Sequence, residues 1–336
     1  MRAAAARIRR VGPRRNLAAA ASSGPRSARA GARSGAPSPS AARPSLRAAS
    51  SSPTSSSSDL SGSLSLENVR ANLALQADSL LFALNERALW AANAAAYAPG
   101  GVPVAAFRPS GERVSLFERM FKETERLHGR FRRYTSPDEH SFFFPKPSLV
   151  GAAAGAAGGA GGSSASPQLG YDLELPPLDY GTASPLHAAC ESVCVNAEVL
   201  ALYFDVILPR IAREGDDGNY GSTVLSDISA LQVISKRVHY GKFVAEIKFR
   251  EETARYTALI ERGDREGILA ALTNQVVEDR NVQAVRHRAA LLQRTEDATD
   301  PRATRVTPDL LADLYETWIM PLTKEVEVQY LLKRLD

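Results

Sequence analysis

The chain has 336 residues, with 41 Lys and Arg against 37 Asp and Glu and a formal charge of +4. That excess is local. Residues 1–58 hold eleven of the arginines and no acid, leaving 30 cations against 37 acids in the rest, about −7. Such a body lacks the clustered cations that a nucleic-acid or anionic-membrane partner requires. No apolar run nears the roughly 20 residues of a bilayer span, and two cysteines exclude a disulfide framework.

Residues 1–58 are mainly Ala, Arg, Ser and Pro, opening MRAAAARIRRVGPRRNLAAAA and closing on SSSPTSSSS. Rich in Arg and Ser and free of acids, the segment has the composition of an organelle transit peptide, without a secretory apolar core. A disordered basic tail is the other reading, and composition does not separate plastid from mitochondrion.

From residue 59 on, the pattern is helical. Ser65 is a candidate N-cap for a helix whose stripe is Val69, Leu73, Ala77, Leu80 and Leu84, with Arg70 beside it, where a surface arginine is the ordinary expectation. A second helix is expected from Val114 to about Tyr134, ending in Arg132-Arg133-Tyr134 before a proline turn. That arginine pair would complement a helix C-terminus. The Gly/Ala/Ser tract at 147–167 has nothing with which to build a core and reads as a flexible surface loop.

Helical periodicity resumes from Leu186 to Arg213, where Cys190 and Cys194, four apart, read as buried thiols. The acids of EGDDGNYGS lack the alternation and closing Glu of a calcium loop. Asn219–Lys248 then reads as one long helix entered through a Gly-Ser turn, with Val224, Ile228, Leu231, Ile234, Val238 and Ala245 on its buried face. Arg237 and Lys248 are eleven residues apart, about three turns, and point the same way roughly 16 Å apart along the axis. The pair reads either as an anion site or as a solvated basic stripe.

A short helix is expected at about 252–261 and a long one over REGILAALTNQVVEDRNVQAVRHRAALLQ, with Asn274 and Glu278 on one face. Thr307-Pro308-Asp309 starts the last helix, which runs to the C-terminus carrying Thr323 and Glu327. No stretch alternates with period two, so the fold class is all-α.

Read together, ENVR, RRYTSPDE, DDGNYGS, LQVISKRVHYGKFVAEIKF and TKEVEVQYLLKRLD resemble the all-helical chorismate mutases of plants and fungi, over most of residues 64–336. The leader resembles that of plastid-targeted members; the tract at 147–167 has no counterpart. The resemblance implies a helical bundle spanning 59–336 that converts chorismate to prephenate on the branch to Phe and Tyr. This pericyclic rearrangement needs no cofactor and no metal.

Carried over position by position, Arg70 and Arg237 match the arginines that clamp the substrate carboxylates. Lys248 and Glu327 match the groups flanking the ether oxygen, Asn274 and Glu278 those that orient the hydroxyl and a carboxylate, and Thr323 a supporting contact. The resemblance also implies a homodimer with an effector site for Trp, Tyr or Phe at the interface. Arg132 and Arg133 match its basic pair, and Asn219, Gly221 and Ser222 its helix-entry turn. Leu225 departs from the fungal pattern, which has a polar residue there. The competing reading is a non-catalytic helical regulator that binds chorismate or aromatic amino acids without turnover.

Overall fold

The computed structural model describes residues 64–103, 114–131, 133–144, 186–293 and 306–336. The expectations for the leader, for the tract at 147–167 and for Arg132 lie outside them. Regular structure among the described residues is helical; strand pairing is confined to one isolated parallel bridge, Ala91 with Arg213. No described helix is long and apolar enough to cross a membrane.

Helix α1 (Leu66–Ala88) starts at Ser65, whose side chain accepts the Asn68 N–H. It buries Val69, Ala77, Leu80 and Leu84 along one stripe, with Leu73 half-buried. Helix α2 (Leu116–Arg130) is capped by Ser115 and ends four residues short of Tyr134. Arg133 therefore sits on a separate 3-10 turn, Arg133–Thr135, and not on the helix. The segment expected to be helical from Leu186 opens instead with a 3-10 turn at Ala188–Ser192, and α3 (Asn196–Leu202) starts later. Cys194 accordingly lies outside the helix and is exposed, not buried.

After α3 the helix widens into a π turn at Tyr203–Ile207 and closes as α4 (Leu208–Ile211). The cause is Pro209, which has no N–H and whose ring would collide with the Asp205 carbonyl in a regular helix. The same device recurs at the C-terminus: α10 (Pro308–Leu314), capped by Thr307, opens into a π turn at Tyr315–Ile319 and resumes as α11 (Met320–Leu332), with Pro321 in its first turn.

The central element is α5 (Tyr220–His239), which buries Val224, Ile228, Leu231, Ile234 and Val238 in the main core. It does not run on to Lys248 as one rod. At Tyr240 the chain makes a tight turn (φ −62°, ψ −16°), its carbonyl accepting the Phe243 N–H at 3.1 Å, and α6 (Gly241–Glu251) follows. Gly241 makes the junction possible, since a Cβ there would stand 2.9 Å from the Thr323 carbonyl oxygen of α11. Helices α7 (Thr253–Glu261) and α8 (Arg265–Leu272) come next.

The helix expected from 265 to 293 is also two, because Thr273 turns extended (φ −82°, ψ 127°) and Asn274 begins α9 (Gln275–Gln293). The Asn274 side chain accepts the Val277 N–H at 3.2 Å. Asparagine satisfies free N–H groups at a helix start better than it sustains a helix interior.

Between α1 and α5 lies a buried ion pair, Arg87 to Asp227 at 2.5 Å. Tyr97 and Tyr203 donate to the same carboxylate at 2.5 and 2.6 Å. A second apolar cluster joins α6, α7, α8 and α11 through Ala245, Phe249, Tyr256, Ile268, Leu272 and Val328.

Candidate functional site

Arg237 reaches this region from the last turn of α5 and Lys248 from the last turn of α6. Thr323 and Glu327, one helical turn apart, present the facing side of α11. Arg237 is only 5% exposed, yet no carboxylate pairs with it among the described residues. Its Nε donates to the Tyr315 hydroxyl at 2.8 Å, and its guanidinium carbon lies 5.2 Å from the centre of that ring. Nη1 stands 3.4 Å from Thr323 Oγ1, which itself donates to the Ile319 carbonyl at 2.7 Å. The half-buried Lys248 likewise has a neutral partner, the Leu272 carbonyl oxygen at 2.5 Å. Burying a cation without a counter-ion is unfavourable. Two such cations, both close enough to Glu327 to act on its carboxyl, mark a candidate anion site.

Glu327, itself buried, forms no ion pair to either cation among the described residues. Burial pushes its carboxyl up to about 7, and the nearby charges of Lys248, Arg237 and Lys324 only partly offset this. Close to neutral pH it is therefore substantially protonated and able to donate a hydrogen bond.

Glu278 lies in the first turn of α9, its Oε2 accepting from Lys324 at 2.7 Å and its Oε1 facing the Asn274 N–H at 3.3 Å. Asn274 is exposed, and its side chain serves the cap of α9. Arg70 is exposed on α1 and joins none of these groups among the described residues. Its neighbour Val69 packs against Tyr240 and Ile247, which places that stretch of α1 against α6. The structure thus gathers Arg237, Lys248, Thr323, Glu327 and Glu278, sets Asn274 at the rim, and leaves Arg70 outside the cluster.

Sequence reading missed Tyr315, Lys324 and Gly241. Lys324 stood inside TKEVEV between two selected residues. For Tyr315 the signal was the repeated pattern of a tyrosine six residues before a proline, YFDVILP and YETWIMP, which marks both π turns.

The residues assigned to the effector site fall into two groups. Arg133 is bound to Glu139 at 3.0 Å, to Gln232 Oε1 at 2.9 Å and to His128 Nδ1 at 2.9 Å. Asn219, Gly221 and Ser222 lie exposed at the start of α5, where no side chain caps the helix. Gln232 is ten residues beyond Ser222 on that helix, about 15 Å along its axis. Within the chain the two groups do not meet.

Fold and site together describe an all-helical protein whose facing helices bring two cations and a buried carboxyl together. No family profile matches the chain. It is, however, 40% identical over 288 residues to chorismate mutase 1, chloroplastic, of Petunia hybrida, covering 83% of this chain and 78% of that protein. It is 37% identical to the chorismate mutase of Emericella nidulans, covering 83% and 95%. Among solved structures, AtCM1 with tyrosine bound in its allosteric site superposes with a TM-score of 0.65 at 40% identity, over 83% and 99% of the two chains. Aro7p chorismate mutase from Candida albicans, in complex with L-Trp, gives 0.67 at 30% identity, over 84% and 96%. The chain belongs to the chorismate mutase family of plants and fungi.

Proposed function

We propose that the chain converts chorismate to prephenate in the pocket of Arg237, Lys248, Thr323, Glu327 and Glu278, with Arg70 and Asn274 completing it when substrate is bound. Chorismate carries two carboxylates, and forked guanidinium groups bind carboxylates through paired hydrogen bonds. In the reaction the ether C–O bond breaks as a new C–C bond forms, all within one molecule. The protein has to hold the dianion in a compact geometry and stabilise the charge that grows on the ether oxygen. Lys248 and protonated Glu327 supply two donors to that oxygen; Glu278 accepts from the substrate hydroxyl. The observation that carries this reading is the pair of cations, Arg237 and Lys248, without carboxylate partners among the described residues, beside a carboxyl near its own midpoint.

The test follows chorismate loss by absorbance, using the protein without residues 1–58. Turnover is expected, with near-complete loss in Arg237→Ala. Folded protein that binds Tyr or Trp without turnover would favour the non-catalytic regulator.

Regulation by aromatic amino acids belongs to the same proposal, through a homodimer that brings Arg133 of one protomer towards the Asn219–Ser222 turn of its partner. The uncapped N–H groups of α5 and a guanidinium suit an amino-acid carboxylate. Loss of the response to Tyr and Trp in Arg133→Ala and Ser222→Ala is the expected result; an unchanged response removes the effector from this location. Plastid targeting by residues 1–58 is supported by their composition and by relatives named as chloroplastic, beside one named cytosolic in Zea mays. An import assay with isolated plastids tests it.

A further inference from the structure

Among the described residues, Lys324 is the one cation of this cluster that has a carboxylate partner. It follows Thr323, precedes Glu327 by three residues on α11, and donates to Glu278 Oε2 of α9 at 2.7 Å. The pair is mostly buried, the side chains 22% and 16% exposed, which makes it more than a surface contact. The other Glu278 oxygen faces the Asn274 N–H, so one oxygen of this carboxylate is engaged by the Lys324 ammonium and the other by a backbone N–H. Lys324 also lines the cleft between α9 and α11, with Gln275, Glu278 and Met320. This is the only ion pair among the described residues that links α9 to α11.

We propose that Lys324 is a positioning residue for the rearrangement, fixing the Glu278 carboxylate against the substrate hydroxyl and locking α9 to α11 across the pocket. The inference rests on the placement of Glu278 and Glu327 in the active site. Lys324 adds a second effect through space. The charged and titratable groups facing Glu327 are Arg237 from α5, Lys248 from α6, Tyr256 from α7, Glu278 from α9 and Lys324 from its own helix. Removing one of three cations from that set favours the protonated form of Glu327. A variant lacking the cation should therefore bind and orient substrate less well while keeping Glu327 protonated to higher pH.

The experiment compares Lys324→Met, Lys324→Arg and Glu278→Gln, singly and as the Lys324→Met/Glu278→Gln pair, in kcat, KM and pH profile. Lys324→Met should lower kcat/KM about tenfold, the scale of one lost charge-assisted hydrogen bond. Its alkaline limb should move to higher pH. Lys324→Arg should restore most of the activity, and in the Glu278→Gln background Lys324→Met should lose most of its effect. Wild-type kcat/KM with an unmoved limb in Lys324→Met overturns the inference, as does full additivity with Glu278→Gln. Should Lys324→Met fail to fold, Lys324→Gln is held to the same two criteria. Arg237→Ala separates the two levels. If it is inactive while Lys324→Met is normal, only the Lys324 inference falls; if it is active, the site assignment falls too.

Discussion

Glu327 is where the proposed chemistry is most sensitive to its surroundings. An ionised carboxylate would repel an electron-rich ether oxygen, whereas the protonated form donates to it. Burial holds the carboxyl near 7 in the free protein, so kcat/KM should fall as pH rises through about 7. A bound dianion adds negative charge and favours protonation, which moves the limb in kcat to higher pH than the limb in kcat/KM. Glu327→Gln keeps a donor and removes the titration, so it should remain active with a flattened alkaline decline. Inactive but folded Gln variant protein would remove the protonated acid from the mechanism. For stability the sign is the same. A carboxyl raised in the folded state contributes stability that is present below its unfolded value of 4.5 and lost as pH rises through about 7. Glu327→Gln should therefore gain stability over the parent mainly at alkaline pH. Across the pocket, Lys248→Ala should cost about 2.7–4 kcal/mol in kcat, roughly 10²–10³-fold, as when one oxyanion donor is lost. Full activity in that variant would take Lys248 out of the site.

At the scale of elements, the pocket depends on breaks in helices as much as on the helices. The apolar stripes of α1 and α5 were legible because burial imposes a helical period on them. The interruptions were less so: Tyr240–Gly241, Thr273–Asn274 and the two π turns are set by close approaches and missing N–H groups, which leave no periodic trace. Gly241 illustrates the difference. Its φ is ordinary, and it is needed because α11 passes so close that a Cβ would meet Thr323 Oand Cγ2 at 2.9 and 3.0 Å and Glu327 Cγ at 3.1 Å. Gly241→Ala should push α6 away from α11, costing about 1–3 kcal/mol in stability and lowering kcat by disturbing Glu327. Denaturant midpoint and turnover measured on the same preparation decide this; an unchanged pair would show that the junction yields freely. Of the site, Arg237, Lys248 and Glu327 became readable only through the resemblance, since spacing alone favoured a solvated stripe for the two cations and gave Glu327 no role. Asn274 shows the opposite limit, because four-residue spacing to Glu278 suggested a shared helical face where the chain in fact starts a new helix.

For the whole molecule the question is what completes the effector site. Arg133 is anchored to Gln232 about 15 Å along α5 from Ser222, and α5 is a straight run of helix between them. In the proposed homodimer, a ligand touching both groups would be shared between the two chains. Helices α1 and α2, both packed against α5, and α5 itself also carry uncovered apolar side chains: Leu75 and Phe82, two turns apart on α1; Leu127 on α2, with Phe131 at its end; and Leu225 on α5. Large exposed apolar residues grouped on neighbouring elements mark an association surface. The departure from the fungal pattern at Leu225 fits the same picture, since an exposed leucine beside the effector turn is better covered by a partner than by water. Reversing this surface should separate the protomers. Leu75→Glu/Phe82→Glu is expected to run as a helical monomer by light scattering and to lose the response of turnover to Tyr and Trp. A variant that stays dimeric would place the interface elsewhere. A monomeric variant that still responds would show that one chain is enough to build the effector site, contrary to the separation of Arg133 from the Asn219–Ser222 turn.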